Sequence, residues 1–342
     1  MESHREPTLA DVAQAAGVSL TTVSRVLNNP GYRSQETKER VAEAIAQLNY
    51  RSNQIARALH GKSTQSIGLI VPTVALPFFG ELTEYVEDFL AEHGYRTFVC
   101  NSMGKADRER DYLDLLVSHR VHGIVSSAHN DGLADYGSIH LPVVSVDRDL
   151  SPTVPNVRCD NEAGGRLAAE HLLKRGARRP ALLTSRTGIH NLREKGYRQV
   201  LQQAGIEPVV LTVDFNTPNG ERPGLIRERL DLVADDIDAV FATDDLAAAQ
   251  VMEWAAERDL RIPDDFKVIG FDGTIAMQHA LPALTTIQQP IAKLARAAVD
   301  LLLNRIESAT AVSSENKQQG EPWKDLQAPS PMPVRLLPGR TA

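Results

Sequence analysis

Nine side chains share one placement along this chain: each lies at or just past the end of a run that reads as a β-strand. Phe78 and Phe79 follow SIGLIV, Asp147 and Arg148 follow PVVSV, and Arg193 follows PALLT. Phe215 follows VVLTV, Asp244 follows DAVFA, Asp272 closes KVIGFD and Gln289 ends LTTIQ. Aromatic faces stack on C–H surfaces, while carboxylates and guanidiniums satisfy hydroxyls that both donate and accept, so the set suits a polyol. Taken singly, each has a plainer role. A Phe belongs to a core more often than to a ligand platform, Asp147–Arg148 can be a structural ion pair, and Asp244 or Asp245 can cap a helix. Their common position at strand ends favours a site. A second set stands in TLADVAQAAGVSLTTVSRVLN (8–28), where Leu20, Thr21, Ser24, Arg25 and Asn28 fall on one helical face. Arg suits guanine, Asn suits adenine, and small hydroxyls suit phosphate or thymine, which is the chemistry of base-pair edges. An ordinary helical hairpin with a solvated face is the alternative.

The elements that position the second set are short helices. Thr8 followed by Asp11 predicts a capping box, and Gly17 falls where the chain must leave the first helix, a position that often needs positive φ. Ser19 caps the next helix, whose Val23, Val26 and Leu27 form an apolar face. NNPGYR (28–33) is a turn, and Ser34 caps a third helix over 35–48 lined by Val41, Ile45 and Leu48. YRSNQIARALHGK (50–62) holds a helix of roughly eight residues, too short to be stable alone in water. From Ser66 onward strands and helices alternate. The pattern predicts strands at 66–71, 96–100, 123–126, 142–146, 180–184, 209–213, 238–242 and 267–271, with helices between them and a closing helix over 290–306. Regular βα alternation predicts parallel sheets covered on both faces, with ligands at the carboxyl ends of the strands. Two such series predict two lobes around a cleft. The tail 307–330 is polar and aperiodic and reads as a flexible surface insertion, and PVRLLPGR (333–340) returns as an edge strand.

Composition narrows the class. At 342 residues, 42% hydrophobic and 24% charged, this is an ordinary globular chain long enough for two or three domains. Its net charge of −7 is unevenly placed. Residues 1–63 hold eight Lys/Arg against six Asp/Glu, and the remainder holds 29 against 38, so attraction for phosphate concentrates at the head. Cys100 and Cys159 fit neither a disulfide framework nor a metal motif and read as buried free thiols. No secretion signal and no membrane span is legible, which predicts a cytoplasmic protein without a membrane partner. Among enzyme signatures there is no G-x-S-x-G, P-loop, G-x-G-x-x-G or H-E-x-x-H, and the histidines lack metal-ligand spacing. No catalytic residue, metal or cofactor is therefore expected.

The ordered set TLADVAQAAGVSLTTVSRVLN, LNYRSNQIARALHGK, SIGLIVP, LREKGY, ATDD, IGFDG and LTTIQQP resembles the LacI/GalR family of bacterial transcription repressors along nearly the whole chain. The resemblance implies an all-α helix-turn-helix head at 1–50 and a hinge helix and linker at 51–63. It implies a two-lobed, type I periplasmic-binding-protein-like α/β core at 64–342, with lobe 1 at about 64–160 and 291–310 and lobe 2 at about 161–289 and 331–342. Leu20, Thr21 and Arg25 then become base readers; Thr8, Leu9, Ser24, Asn28, Tyr32 and Ser34 become backbone or mixed contacts. Asn53 and Ala56 in the hinge join them, and Leu59 takes the place of the leucine wedged into the minor groove. Ser52 stands where proline is usual. The segments PFF, VDR, LREKG, DF and FDGT also look like the pocket of ribose-binding proteins. That likeness implies that Phe78, Phe79 and Phe215 sandwich a sugar ring, with Asp147, Arg148, Arg193, Asp272 and Gln289 on its hydroxyls. Leu76 and Asp244 stand where asparagines are usual. The expected partners are double-stranded operator DNA, a small sugar effector (a ribose-like pentose or ribonucleoside leading) and a second copy in a homodimer. Induction is the expected sign; corepression by a purine-like ligand, a sugar-acting enzyme and an exported transport protein are the rivals.

Overall fold

A computed structural model of the chain describes residues 7–28, 34–50, 65–128, 130, 135–218, 220–315 and 326–342. The chain divides into two compact units, 1–64 and 65–342.

The first unit holds α1 (Leu9–Ala16), α2 (Leu20–Asn28) and α3 (Gln35–Gln47). Thr8 and Asp11 form the expected capping box, and Gly17 leaves α1 at φ +62°. The hydroxyl of Ser19 accepts the Thr22 amide at the start of α2, 3.1 Å away. From α3, Arg40 donates to the carbonyls of Ala16 and Gly17, answering carbonyls that the end of α1 leaves without helical partners. Val12, Ala13, Ala16, Val23, Val41 and Ala44 are the buried core of the unit. Leu27, expected on the apolar face, is instead exposed, and Val23 and Val26 carry that face. The predicted hinge helix, with Ser52, lies outside the described residues.

The second unit opens with β1 (Ser66–Val71), α4 (Pro77–Glu92), β2 (Arg96–Asn101), α5 (Ala106–Ser118), β3 (Gly123–Ser126), β4 (Val143–Val146) and β5 (Asn156–Val157). These strands form an all-parallel sheet in the order β2-β1-β3-β4-β5. The chain continues through α6 (Asn161–Lys174), β6 (Pro180–Thr184), α7 (Leu192–Gln203), β7 (Val209–Thr212), α8 (Arg222–Asp231) and β8 (Ala239–Ala242). It ends with α9 (Asp245–Glu257), β9 (Lys267–Asp272), α10 (Ile275–Ala280), β10 (Thr285–Gln288), α11 (Ile291–Glu315) and β11 (Arg335–Leu337). The second sheet runs β11-β10-β9-β8-β6-β7, parallel except for β11, which pairs antiparallel to β10 as the edge strand. All six residues of β1 and all four of β8 are buried, as expected of strands with helices on both faces.

Two expectations need correction. The helix predicted over 290–306 runs on to Glu315, packing on α4, β3 and β4, so 307–315 is not a loop. Its outer turns, ESATAVSSE, lack apolar periodicity, yet they extend a helix already nucleated on the core. The end of the predicted insertion is anchored: Leu326 and Ala328 pack against the main core between exposed neighbours, as do Met332 and Val334 just beyond it, and Met332 bridges Cys159. Both cysteines are free and buried. The chain therefore passes between the two sheets near Cys159, between β10 and α11, and before β11.

Candidate functional site

In the first unit the exposed face of α2 carries Leu20, Thr21 and Arg25, with Ser24 partly covered. Short hydroxyls and one guanidinium around an exposed Leu are what a helix entering a major groove presents. Ser34 caps α3 and Thr8 caps α1, so their hydroxyls sit beside helix N-termini, where phosphate is favoured. The side chain of Leu9 packs against the head core, which leaves its backbone for a contact. Tyr32, Asn53, Ala56, Leu59 and the side chain of Asn28 lie outside the described residues.

In the second unit the carboxyl ends of both sheets face one cleft, and the strand-end side chains meet there. Arg193, one residue into α7, is its centre. Its Nε donates to Asn161 Oδ1 and its Nη1 to the Thr243 carbonyl, both at 2.7 Å. Nη2 lies 3.5 Å from Asp147 Oδ2, and Nη1 lies 3.8 Å from Asp272 Oδ1. The guanidinium plane stacks over Phe271 at 3.7 Å, which presets its orientation. Asp147 comes from the first sheet and Arg193, Asp272 and Thr243 from the second side, so this one cation ties the two together. A second tie is the Ile275 amide at the start of α10, which donates to Glu81 on α4 at 2.8 Å. Burial raises the Glu81 carboxyl above its ordinary value while that amide opposes the shift.

The supporting shell was not legible in the sequence. Asp147, held at φ +59°, accepts from Asn161 Nδ2 at 2.7 Å. Asp272, at φ +103°, accepts from Gln289 Nε2 at 2.7 Å. Non-glycine residues in this backbone region are uncommon and store strain, which the side-chain bonds here offset. Burial drives Asp272 well above the carboxylate range, opposed by Arg193 and reinforced by Asp245 and Asp244. Asp245, buried beneath the site, accepts from Thr286 Oγ1 at 2.6 Å and from the Gly273 amide at 2.8 Å. Burial pushes its pKa up to about 7.

Several expected ligand residues play different parts. Gln289 does not line the cleft; it is 3% exposed and bridges Asp272 and the Cys159 thiol, so it positions Asp272. Asp244 does line the cleft, and it also caps α9 by accepting the Ala247 amide and pairs with Arg222 at 2.7 Å. Arg222 thereby places a donor beside the Asp244 carboxyl, and nothing in the sequence pointed to it. Leu76 precedes α4 with no side-chain cap. The three phenylalanines meet each other rather than standing apart as two faces of a sandwich. Phe78 and Phe79 are edge to face with centroids 5.1 Å apart, and Phe79 and Phe215 likewise at 6.1 Å. Around them lies an inner cavity of about 80 Å³, walled by these rings, Arg148, Arg193 and Arg222 with their carboxylates, Thr243 and Met277.

Among the described residues no cluster of His, Cys, Asp and Glu could hold a metal ion, and no helix is long and apolar enough to cross a membrane.

Comparison with known proteins matches both units. Residues 8–53 match the model of bacterial regulatory proteins, lacI family, and residues 169–321 that of the periplasmic binding protein-like domain. A sucrose operon repressor of Streptococcus mutans is 40% identical over 306 residues, covering 87% of this chain and 92% of the relative. A ribose operon repressor of Halalkalibacterium halodurans is 36% identical over 302 residues, covering 88% and 90%. The Lac repressor dimer bound to operator and the anti-inducer ONPF superposes with a TM-score of 0.80 at 26% identity, covering 98% of this chain and 99% of that one. With an all-α helix-turn-helix head, a two-lobed periplasmic-binding-like core and relatives of this identity over nearly their full length, the chain belongs to the LacI family of bacterial regulatory proteins.

Proposed function

We propose that this chain is a sequence-specific transcriptional repressor that binds a palindromic operator as a homodimer and is released by a small sugar. It is a cytoplasmic regulator and not an enzyme in this reading. Residues 1–50 grip the DNA, 51–63 form the hinge, and 64–342 bind effector and partner. The observation that carries the effector half is Arg193, which engages Asp147 from one lobe and Asp272 and Thr243 from the other beside three aromatic rings. A polyol bonded to these groups favours one arrangement of the lobes, and the coupling to DNA is reciprocal. The named relatives include repressors of sucrose and ribose operons, which supports a sugar. The correspondence of Phe78, Phe79, Asp147, Arg148, Arg193, Phe215 and Asp272 to a ribose pocket makes a ribose-like pentose or ribonucleoside the leading ring.

The homodimer reading draws on an apolar edge. Phe98 and Val99 on edge strand β2 and Leu115 on α5 are each close to half exposed, and Phe98 touches His119 beyond the end of α5. An exposed apolar strand edge of this kind calls for a partner, and a second copy supplies one with two-fold symmetry to match a palindrome.

The test is a gel shift on a selected palindromic site, with and without sugar. Weaker binding in the presence of sugar is expected; tighter binding overturns induction, and no preference for any palindrome overturns the whole reading.

A further inference from the structure

The places where the chain passes between the lobes all lie on one side of the core. They follow β5, an edge of the first sheet, and adjoin β10 and β11, at one edge of the second. The opposite edges are β2 and β7, and on that side the lobes touch again with no covalent link. Gly104, in the loop after β2, lies against the side chain of Asn216, in the loop after β7, so closely that a Cβ on it would overlap Asn216 Oδ1. Phe79 on α4 meets Phe215 edge to face, and Glu81, two residues further along α4, accepts the Ile275 amide at 2.8 Å. These contacts use protein groups alone, and neither Glu81 nor Asn216 lines the inner cavity. A hinge on one side gives contacts on the other the longest lever. With strands about 4.8 Å apart, the β2 edge is roughly 20 Å from β5, and a rotation of roughly 15° carries it about 5 Å. No hydrogen bond survives a shift of that size, so each contact is either made or broken.

We propose that Glu81 and Asn216 are positioning residues that clasp the lobes together at the rim far from the connecting segments, and that operator binding must open this clasp. The inference rests on the reading above, in which a sugar bonded to both lobes releases DNA. Sugar and clasp then favour the same joined arrangement, and DNA favours the other. The clasp sets how far the equilibrium leans toward the joined lobes before any sugar binds, and so how much differential affinity the sugar has to supply. Glu81 is partly buried and Asn216 exposed, so truncating either leaves no cavity in a core.

Double electron–electron resonance reads the far rim directly. Nitroxides on Asp107→Cys and Glu221→Cys, both exposed and just past the two loops, report the lobe separation in full chain diluted with unlabelled chain. The native Cys100 and Cys159 are buried. With the clasp intact, one distance should dominate. Glu81→Ala/Asn216→Ala should add a population longer by about 5 Å. Glu81→Gln, which keeps a carbonyl oxygen for the Ile275 amide, should not. Without sugar, the double alanine variant should bind operator about threefold or more tighter than wild type in the gel shift. An unchanged distance distribution in the double variant overturns the clasp and leaves the sugar-released repressor reading standing. So does a Glu81→Gln chain that opens as far as the double variant, or an opened chain with unchanged operator affinity. Weaker operator binding by the opened chain means that DNA selects joined lobes, which overturns the clasp and the release reading together.

Discussion

Arg193 makes two hydrogen bonds, two ionic contacts and a stacking contact at once, and it reaches both lobes. Arg193→Ala should abolish release of operator by sugar while leaving operator affinity near normal, measured by fluorescence anisotropy; a variant that still responds fully would remove the pocket from the mechanism. Arg25 is the long cation on the exposed face of α2. Arg25→Ala should cost about 1–3 kcal/mol at the preferred operator and little on random DNA. Asp245 yields a pH prediction. Its folded pKa of about 7 lies above the ordinary 3.8, so between about pH 4 and 7 the unfolded chain releases a proton that the folded chain keeps. Its contribution to stability is therefore complete below about pH 4 and lost as pH rises through about 7. Asp245→Asn does not titrate, so its stability relative to wild type should climb by a few kcal/mol from pH 4.5 to pH 7.5 in urea unfolding. A difference that does not change with pH would mean that Asp245 ionises normally.

The element-scale device is the crossing of α6 and α7. Gly196 on α7 lies against the Glu162 carbonyl of α6, and Gly165 on α6 lies against the Arg193 carbonyl of α7. A Cβ at either place would overlap backbone, which cannot move aside as a side-chain tip can. This close approach sets Asn161, at the start of α6, within bonding distance of Arg193, at the start of α7. Gly196→Ala should force the helices apart, lowering stability by about 1–3 kcal/mol in thermal or urea unfolding. The same shift should weaken the sugar response more than operator binding, because the helices that move are those holding Arg193 and Asn161.

At the scale of the whole molecule, the repressor reading requires two copies. Phe98→Glu places a charge in the middle of the exposed apolar edge of β2 and should leave the monomer folded, since the side chain is about half exposed already. Light scattering should report a shift from dimer to monomer, with operator affinity falling at least tenfold as the two half-sites are no longer held together. A dimer that survives this change would place the interface elsewhere. The acidic body and mildly basic head should also make operator binding fall steeply with salt, as contacts to phosphate do.

Order along the chain was enough to gather the candidate residues, because βα alternation brings every strand's carboxyl end to one edge, and Phe78, Asp147, Arg193, Phe215 and Asp272 do line one cavity. Local chemistry was likewise legible: the Thr8–Asp11 cap and the left-handed exit at Gly17 depend on neighbours within a few residues. What the tertiary structure alone decided are roles set by partners far apart in sequence. Gln289 reads as a ligand until Cys159 and Asp272 claim both ends of its amide, and Asp244, which lines the inner cavity, acquires in Arg222 a partner 22 residues away that no short window announces. The tail past 306 reads as loose because its sequence has no period, yet its first part prolongs a helix seeded on α4 and its end packs on the core. Period and propensity are properties of short windows; burial and pairing are properties of the folded whole.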